Sequence, residues 1–515
     1  MNRRVLLAIL LLGAAAPSEA PAQLEPIGVP KGQLRVGLGG TFENYDRRFR
    51  NGRVEDIAAD FSRDSLGSNF FPSLAVGDTL VGLIAGIPNY HLSLGRTDAH
   101  AEVNVGTGAL TFALGLTRRL TISLYAPIVR SRVQPHVQLD SLNGDVGLNP
   151  NAASTFLTNF QAAIDTLDLR ITNGAYAGAQ LATAIATRDR AVVLKAQFAQ
   201  LTGFTPFLPT ISSPAGQAIQ QRVAGLQDTL TTLLTVPAAV FSDAAPLPAA
   251  RLDPSALDNF ILSAGGPIQG FPLQEALISR LGDIRLGASY TLIDRWDRGD
   301  ASGGVRIVGR GAVTLPTGLP DRSTNFFDTG TGNGRVDVAG GIVADIGHGA
   351  WGARLTGDYT LTMPGIRTKR LSPPSQPVAP LSSLTNLRVN AGNTLAISVL
   401  PFFRLEPSLA LRVGVTYWRR STDRVTYATP ADSIPGLDPQ LFGLESSAGA
   451  TILSGGISYA SQAARGCREQ RCGLPIEATW SYEGVIAATG GRVPQSRTMR
   501  MEFRFYAWMW GRPGR

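Results

Sequence analysis

The feature that most constrains the fold is a two-residue alternation of apolar and polar side chains. In the stretch GLTRRLTISLYAPIV, Gly115 to Val129, apolar residues occupy alternate positions: Leu120, Ile122, Leu124, Ala126 and Ile128. The residues between them are Thr121, Ser123, Tyr125 and Pro127. A period of two predicts a β-strand with one apolar and one polar face, which fits either a soluble sheet or a membrane barrel.

The same alternation recurs over most of the chain. The segments DIRLGASYTL, VRIVGRGAVTL, RVDVAGGIVADI and LALRVGVTY each place apolar residues on one face and arginine, aspartate, threonine or glycine on the other. Soluble sandwiches and membrane barrels are both built from such strands. The segments alone therefore leave open whether the apolar face meets a protein core or lipid.

The connections between the segments favour a membrane barrel. They alternate between short, near 117–119, 295–303, 348–350 and 407–408, and long, near 51–88, 139–281, 319–333, 364–390 and 429–444. Outer-membrane barrels have short periplasmic turns and long extracellular loops. The architecture of a sandwich does not require long connections at one end and short ones at the other. We therefore predict an all-β transmembrane antiparallel β-barrel whose apolar face meets lipid and whose backbone groups are all paired.

Twelve strands are predicted, with ten and fourteen as alternatives. Their approximate ranges are 32–50, 90–116, 120–137, 282–294, 304–316, 334–347, 351–363, 390–406, 409–427, 445–461, 476–489 and 497–510. The second is too long for one crossing and is expected to extend beyond the membrane. The last, TMRMEFRFYAWMW, ends on aromatic residues and resembles the signal that the barrel-assembly machinery recognises.

The first 22 residues have the pattern of a secretory signal peptide. MNRR is basic, VLLAILLLGAAA is apolar but too short for a membrane anchor, and APA before Gln23 is a small-x-small cleavage site. We expect a leader over 1–22 and a mature protein in the outer membrane of a Gram-negative cell. The net charge is +8, but the arginines are spread singly along strands, so we predict no nucleic-acid partner.

Residues 139–281 lack the alternation and are predicted to form a helical insertion at the extracellular mouth, between barrel parts 23–138 and 282–515. Three stretches have helical spacing, and the last begins with Ser213 as a cap and Pro214 at the first helical position. Each helix must bury an apolar stripe. Either the stripes pack on one another in a small subdomain, or the helices form a lid over the pore, and the two are compatible.

The polar faces of the strands carry charged residues that are candidates for lining the pore. These are Arg285, Arg306, Arg310, Asp337, Asp345, Arg354, Asp358, Arg412, Arg500 and Arg504. In a small barrel, side chains can fill the interior, so opposite charges can pair across strands and brace the wall. The other interpretation is a basic pore that favours anionic or polar solutes. The two can apply at different depths.

Cys467 and Cys472 lie in a predicted periplasmic turn, where we expect a disulfide, with free thiols as the alternative. A metal site needs about four ligands and no histidine is near the cysteines, so we expect no metal and no cofactor. No nucleophile elbow, HExxH or phosphate-binding loop occurs in the sequence. An enzyme is therefore not expected, although a serine and a histidine on neighbouring strands would escape this search.

Several motifs follow one another over roughly residues 104–363: GLTRRLTISLYAPIV, RLGDIRLGASYTL, GAVTLPTG and TGTGNGRVDVAGGIVADIG. They resemble the GLTDRL-type turn, GxGD strand start and LPTG strand end of the outer-membrane transporter family named for the MetA pathway of phenol degradation. Arg118 replaces the usual aspartate, and the helical insertion is an addition. The resemblance implies an outer-membrane β-barrel that passes small molecules, hydrophobic ones among them.

These patterns predict a passive, porin-like outer-membrane channel or transporter that is surrounded by lipid and passes a small solute of unknown identity. A first alternative is a structural or surface-interaction barrel whose helical insertion binds a partner. A second is a barrel enzyme. The sequence shows no energy-coupling motif.

Overall fold

The alternating segments form the strands of one closed antiparallel barrel. The computed structural model describes residues 28–150, 153–235, 241–262, 275–296, 303–372, 378–406, 408–461 and 475–510. The predicted signal peptide over 1–22 and the predicted disulfide between Cys467 and Cys472 lie outside these residues. In the described ranges, no helix is both long enough and apolar enough to cross a membrane.

Twelve strands close the barrel, as the sequence predicts. They are β1 Gln33–Tyr45, β2 Arg96–Gly115, β3 Leu120–Asp140, β4 Ala276–Leu281 with Ile284–Trp296, β5 Gly304–Leu315, β6 Asp337–His348, β7 Trp351–Thr362, β8 Thr394–Glu406, β9 Leu409–Arg420, β10 Ala448–Ala460, β11 Ile476–Thr489 and β12 Arg497–Trp508. Each strand pairs with its neighbours in the chain, and β12 pairs with β1 to close the ring. The two segments of β4 both pair with β3, on either side of Pro127, which has no N–H to donate.

The two faces of the wall separate as the alternation predicts. The outward side chains of Ile342 and Val413 are 56% and 58% exposed, whereas the inward Arg354 is 1% exposed. A soluble sandwich would bury the apolar face and leave the polar face in water. An apolar outer band around a polar interior is instead typical of a transmembrane barrel.

The connections sort into two ends of the barrel, which we call the long-loop end and the short-turn end. The long-loop end carries 46–95, 141–275, 316–336, 363–393, 421–447 and 490–496, and the short-turn end carries 116–119, 297–303, 349–350, 407–408 and 461–475. The sorting is not strict, because 490–496 at the long-loop end has 7 residues and 461–475 at the short-turn end has 15. Exposed aromatic residues, Trp351, Tyr459, Trp508 and Trp510, lie at the short-turn end, as at a membrane–water interface.

Two of the predicted strands end earlier than expected. β1 stops at Tyr45, and the chain then forms a hairpin, Arg47–Arg50 with Arg53–Asp56, that pairs with Arg492–Pro494. We call this three-stranded unit the mouth hairpin. β9 stops at Arg420, and the following Arg424–Tyr427 joins a separate small sheet. In both places pairing with distant segments redirects the chain.

The described parts of the long loops contain five α-helices: α1 Ala75–Ala85, α2 Ala153–Thr172, α3 Gly178–Phe204, α4 Pro214–Leu234 and α5 Pro254–Leu262. The predicted cap of α4 is present, since the Ser213 hydroxyl accepts the Gly216 N–H at 3.1 Å. The four helices α2 to α5 lie within 139–281, and α1 lies in the first long loop, where no helix was predicted.

The helices do not bury their apolar stripes only against one another. Phe160 of α2 and Ile219 of α4 belong to one buried cluster with Phe61 of the first long loop and with Phe326 of the third. The rings of Phe61 and Phe326 meet edge to face, with centroids 4.9 Å apart. Interpreting the insertion as a subdomain packed only on itself is therefore incomplete, because its core is shared with the loops at the mouth.

Candidate functional site

The barrel interior contains a cavity of about 290 Å³ that lies to one side of the lumen. Its lining comes from β12 and from β1 to β7. Small and hydroxyl-bearing residues form much of the wall: Gly39, Thr41, Thr107, Ala109, Thr111, Thr121, Ser123, Gly287, Ser289, Ala312 and Thr314. On the opposite side, buried inward residues such as Leu400, Phe402 and Trp418 occupy the space instead. The cavity therefore lies where the inward side chains are small.

All ten charged residues predicted to line the pore lie on inward-facing positions of the barrel wall. Six line the cavity: Arg285, Arg310, Asp337, Asp358, Arg500 and Arg504. The other four, Arg306, Asp345, Arg354 and Arg412, are buried away from its lining. Their placement follows from the period of two, while their part in passing a solute stays a prediction.

Arg310 reaches across β6 to bind Asp358 on β7. Its Nε donates to Asp358 Oδ1 at 2.8 Å, and its Nη2 donates to Oδ2. A Cβ on Gly341 of β6 would lie 2.0 Å from Asp358 Oδ1, so glycine leaves the space that this pair needs. A bidentate pair of this kind holds both side chains in a fixed orientation on the cavity wall.

A second set of ion pairs lies in the wall between β4 and β7, where both arginines are buried and the Asp294 side chain is 39% exposed. Arg354 Nη2 donates to Asp345 Oδ2 at 2.8 Å, and the two residues are 1% and 3% exposed. Arg306 Nε donates to Asp294 Oδ1 at 3.2 Å. Charges this deeply buried need partners, because desolvation of an unpaired ion is expensive. These contacts are the ones expected if opposite charges brace the wall.

A third set joins β11 to β12. Arg500 Nη2 lies 3.1 Å from Glu483 Oε1, and Arg504 Nη1 lies 3.4 Å from Glu477 Oε2. Arg504 Nε also donates to Glu502 Oε1 at 2.7 Å on its own strand. Arg504 is thus shared by two carboxylates, and its guanidinium is fixed between the barrel wall and the cavity.

Arg412 on β9 differs from the other interior arginines. It is 7% exposed, and among the residues that the structure describes its Nη1 and Nη2 have no hydrogen-bond partner. The positive charges of Arg354, Arg504 and Arg500 act on it. Its charge is therefore the least neutralised of those buried in this part of the wall.

The search of the sequence for charged residues missed the hydroxyl wall of the cavity. Thr111, Ser123 and Ser289 line it, and none of them is charged. Their position in the two-residue repeat could have identified them, because each alternates with outward apolar or aromatic neighbours such as Leu124 and Tyr290 and so faces inward. Arg35, which also lines the cavity, follows the same parity on β1.

The mouth hairpin enters the lumen at the long-loop end. Phe49, which is 6% exposed, belongs to a buried cluster with the inward residues Ala396 of β8, Trp418 of β9, Ile452 of β10 and Ala488 of β11. β8 lies far around the ring from β1, the strand that leads into the hairpin. The hairpin therefore crosses the mouth and narrows it.

Six charged side chains hold the hairpin in place: Arg48, Arg50, Arg492, Glu55, Asp60 and Glu445. Asp60 is shared by three guanidiniums, since Arg48 Nη2, Arg50 Nη1 and Arg492 Nη1 lie 2.8, 2.9 and 2.8 Å from its carboxylate oxygens. Burial alone would raise the pKa of Asp60, but Arg492, Arg48 and Arg50 outweigh it and hold this pKa well below its usual range. Asp60 is the centre of this cluster.

The chain before β1 narrows the other end of the cavity. The Val29 N–H donates to Thr121 Oγ1 at 2.8 Å, and Thr121 is one of the hydroxyl residues of the cavity wall. Val29 is 3% exposed. The cavity therefore lies between the mouth hairpin at the long-loop end and residues 28–30 near the short-turn end.

Comparison with known proteins gives weak similarities to other barrels. The chain is similar to a crystal structure of an outer membrane channel from Pseudomonas putida F1, with 10% identity, a TM-score of 0.42, and coverage of 94% of this chain and 100% of that one. It is also similar to the CymD monoaromatic hydrocarbon channel, with 11% identity, a TM-score of 0.25 and coverage of 93% and 89%. A Pseudomonas aeruginosa FadL homologue gives 9% identity, a TM-score of 0.25 and coverage of 93% and 90%.

At these scores and identities the similarities alone establish neither fold nor function, so the barrel is assigned from this chain's own strand pairing. No family model matches the chain. No curated protein matches it either. The resemblance of its turn and strand motifs to the phenol-degradation transporter family therefore stays a prediction.

Proposed function

We propose that the chain is an outer-membrane channel that passes a small solute passively through the barrel interior. The observation that carries the proposal is the closed barrel with an apolar outer band and a polar cavity inside it. A closed ring pairs every strand edge, which lipid requires. The residues lining the cavity include arginines, carboxylates and hydroxyls, which can bind a hydrated or polar solute, among alanines and glycines that leave it room.

The proposal includes location and orientation. The long-loop end, with the helical insertion, faces outside, and the short-turn end faces the periplasm, because outer-membrane barrels place their long loops outside. The leader over 1–22 directs export. Strand β12, which closes the ring on β1, presents the C-terminal signal to the barrel-assembly machinery.

The runner-up is a surface-interaction barrel whose loops bind a partner outside the cell. One observation favours it: the first three long loops and their helices share one large core, and the mouth hairpin narrows the lumen beneath them. Such a barrel would present a rigid outer surface and would not need an open lumen.

Purified full-length protein in a planar lipid bilayer separates the two functions. We expect discrete steps of KCl conductance, with long closed periods because the mouth hairpin narrows the entrance. The protein's folding is verified by its slower migration on an unheated gel. If folded protein inserts and gives no steps in any preparation, the channel function is wrong and the surface-interaction barrel takes its place.

A further inference from the structure

We propose that the interior cavity is a binding site for small anions that carry a carboxylate or phosphate group. The inference rests on the proposed channel function and adds the chemical class of its solute. The charges on the cavity wall are the first observation that supports an anion. Five arginines line the cavity, Arg35, Arg285, Arg310, Arg500 and Arg504, against three carboxylates, Asp337, Asp358 and Glu502. The lining residues alone therefore carry two more positive than negative charges, while Glu483 and Glu477 beside the lining pair with Arg500 and Arg504.

The carboxylates of the lining are already bound by other groups. Asp358 accepts two hydrogen bonds from Arg310, and Glu502 accepts from Arg504. Asp337 Oδ2 accepts from the side-chain amide of Asn333 at 2.7 Å. A cation in the cavity would have to compete with these donors for the same oxygens. An anion would not have to displace them, because it would add a further acceptor to guanidiniums that carry several N–H groups each.

Arg412 adds positive charge close behind the wall. Its Nη1 and Nη2 have no hydrogen-bond partner in the described part of the chain, and it is 7% exposed. The charges of Arg354, Arg500 and Arg504 oppose its own charge, and that of Glu483 favours it. A charge in a low-dielectric wall is poorly screened, so its field extends into the lumen. The field of Arg412 has the same sign as the excess charge of the lining.

The wall that carries the arginines also supplies neutral donors. The hydroxyls of Thr111, Ser123, Ser289 and Thr314 line the cavity, and each can turn its O–H toward an anion oxygen. They lie among the guanidiniums, since Arg285 is on the same strand as Ser289 and its Nε donates to Thr314 Oγ1 at 3.3 Å. Guanidiniums and hydroxyls that are neighbours in one wall suit a group with two or three acceptor oxygens. The volume of about 290 Å³ limits the solute to a small molecule.

The test is ion selectivity in planar bilayers across a KCl gradient. We expect the intact channel to favour chloride over potassium. Arg285→Gln should lower the ratio of anion to cation permeability by about twofold to fivefold, because one unit charge is lost from a narrow wall. Arg295→Gln is the matched control, since Arg295 lies on the same strand, is exposed, pairs with the outward Val305 and does not line the cavity. Its selectivity should equal that of the intact chain.

A second measurement needs no substitution. Millimolar malonate, a small dicarboxylate, should reduce the single-channel current, and its neutral diamide should not. A channel that conducts but favours cations or discriminates neither sign, and that malonate does not block, overturns the anion site and leaves the channel function standing. Absence of any conductance overturns both. A current blocked by a neutral aromatic solute and not by malonate would show a hydrophobic path and would also overturn the anion site.

Discussion

Asp60→Ala is expected to open the mouth of the barrel. The substitution leaves Arg48, Arg50 and Arg492 close together without the carboxylate that they share. Removing one partner of a buried pair costs roughly 3–5 kcal/mol, and about 1.4 kcal/mol corresponds to a tenfold change in an equilibrium. The ratio of open to closed mouth should therefore rise about a hundredfold or more, seen as longer open periods in single-channel recordings.

The matched control is an exposed ion pair at the same end. Arg132 and Glu275 are paired at 2.7 Å with side chains 46% and 44% exposed, so Glu275→Ala should change the open time very little.

The pH dependence of the open time is a further check on the role of Asp60. Because the pKa of Asp60 is lowered, its contribution holds above the unfolded pKa of about 3.9 and is lost only as the pH falls further. Mild acid should leave the mouth closed. Identical open times for Asp60→Ala and the intact chain would refute the role of the hairpin.

Ile342→Arg is expected to destabilise the folded barrel in lipid by roughly 2–4 kcal/mol. Ile342 lies halfway along β6, faces outward and is 56% exposed. A charge there would enter the hydrocarbon near the midplane of the bilayer, where no group on the outer face pairs with it. Denaturant titration of protein refolded into lipid vesicles measures the free energy of unfolding.

The inward control for that change is Ser289→Arg. Ser289 lines the cavity on β4, so a new guanidinium there stays in a polar, solvated space and should cost roughly 1 kcal/mol or less, mainly through repulsion by neighbouring arginines. Equal losses for the two variants would mean that both faces meet the same surroundings. The assignment of the outer face to lipid would then be wrong.

The two-residue period predicted which side chains of each strand face inward and which face outward. It placed Arg310, Asp358 and Arg504 on the inner face and Ile342 and Val413 on the outer face. Each of these follows from the position of a residue within its own segment. The number of strands followed as well, because every crossing needs about ten alternating residues.

Features that depend on distant partners could not be predicted in this way. Arg47–Arg50 was predicted as the end of β1, although the apolar residues change parity after Phe42 to Tyr45 and Phe49, and pairing with Arg492–Pro494 makes that segment part of the mouth. The apolar stripes of the insertion were recognisable, but their contact with Phe326 was not. Helix α1 was missed because it has only 11 residues and lies within a connection that was interpreted as a loop between two strands. Nothing local to these segments specifies their partners.

The measurement that most directly tests the path through the barrel is chemical modification of the cavity wall during recording. Ser289→Cys is made with Cys467 and Cys472 replaced by serine, and Ile342→Cys in the same background serves as the lipid-facing control. A charged methanethiosulfonate reagent, with attachment verified by mass spectrometry, should sharply reduce the single-channel current of the Ser289 variant, because the added group fills part of a cavity of about 290 Å³. The control current should not change. An unaltered current through fully modified Ser289→Cys protein would contradict the account, because ions would then be passing somewhere other than the interior cavity.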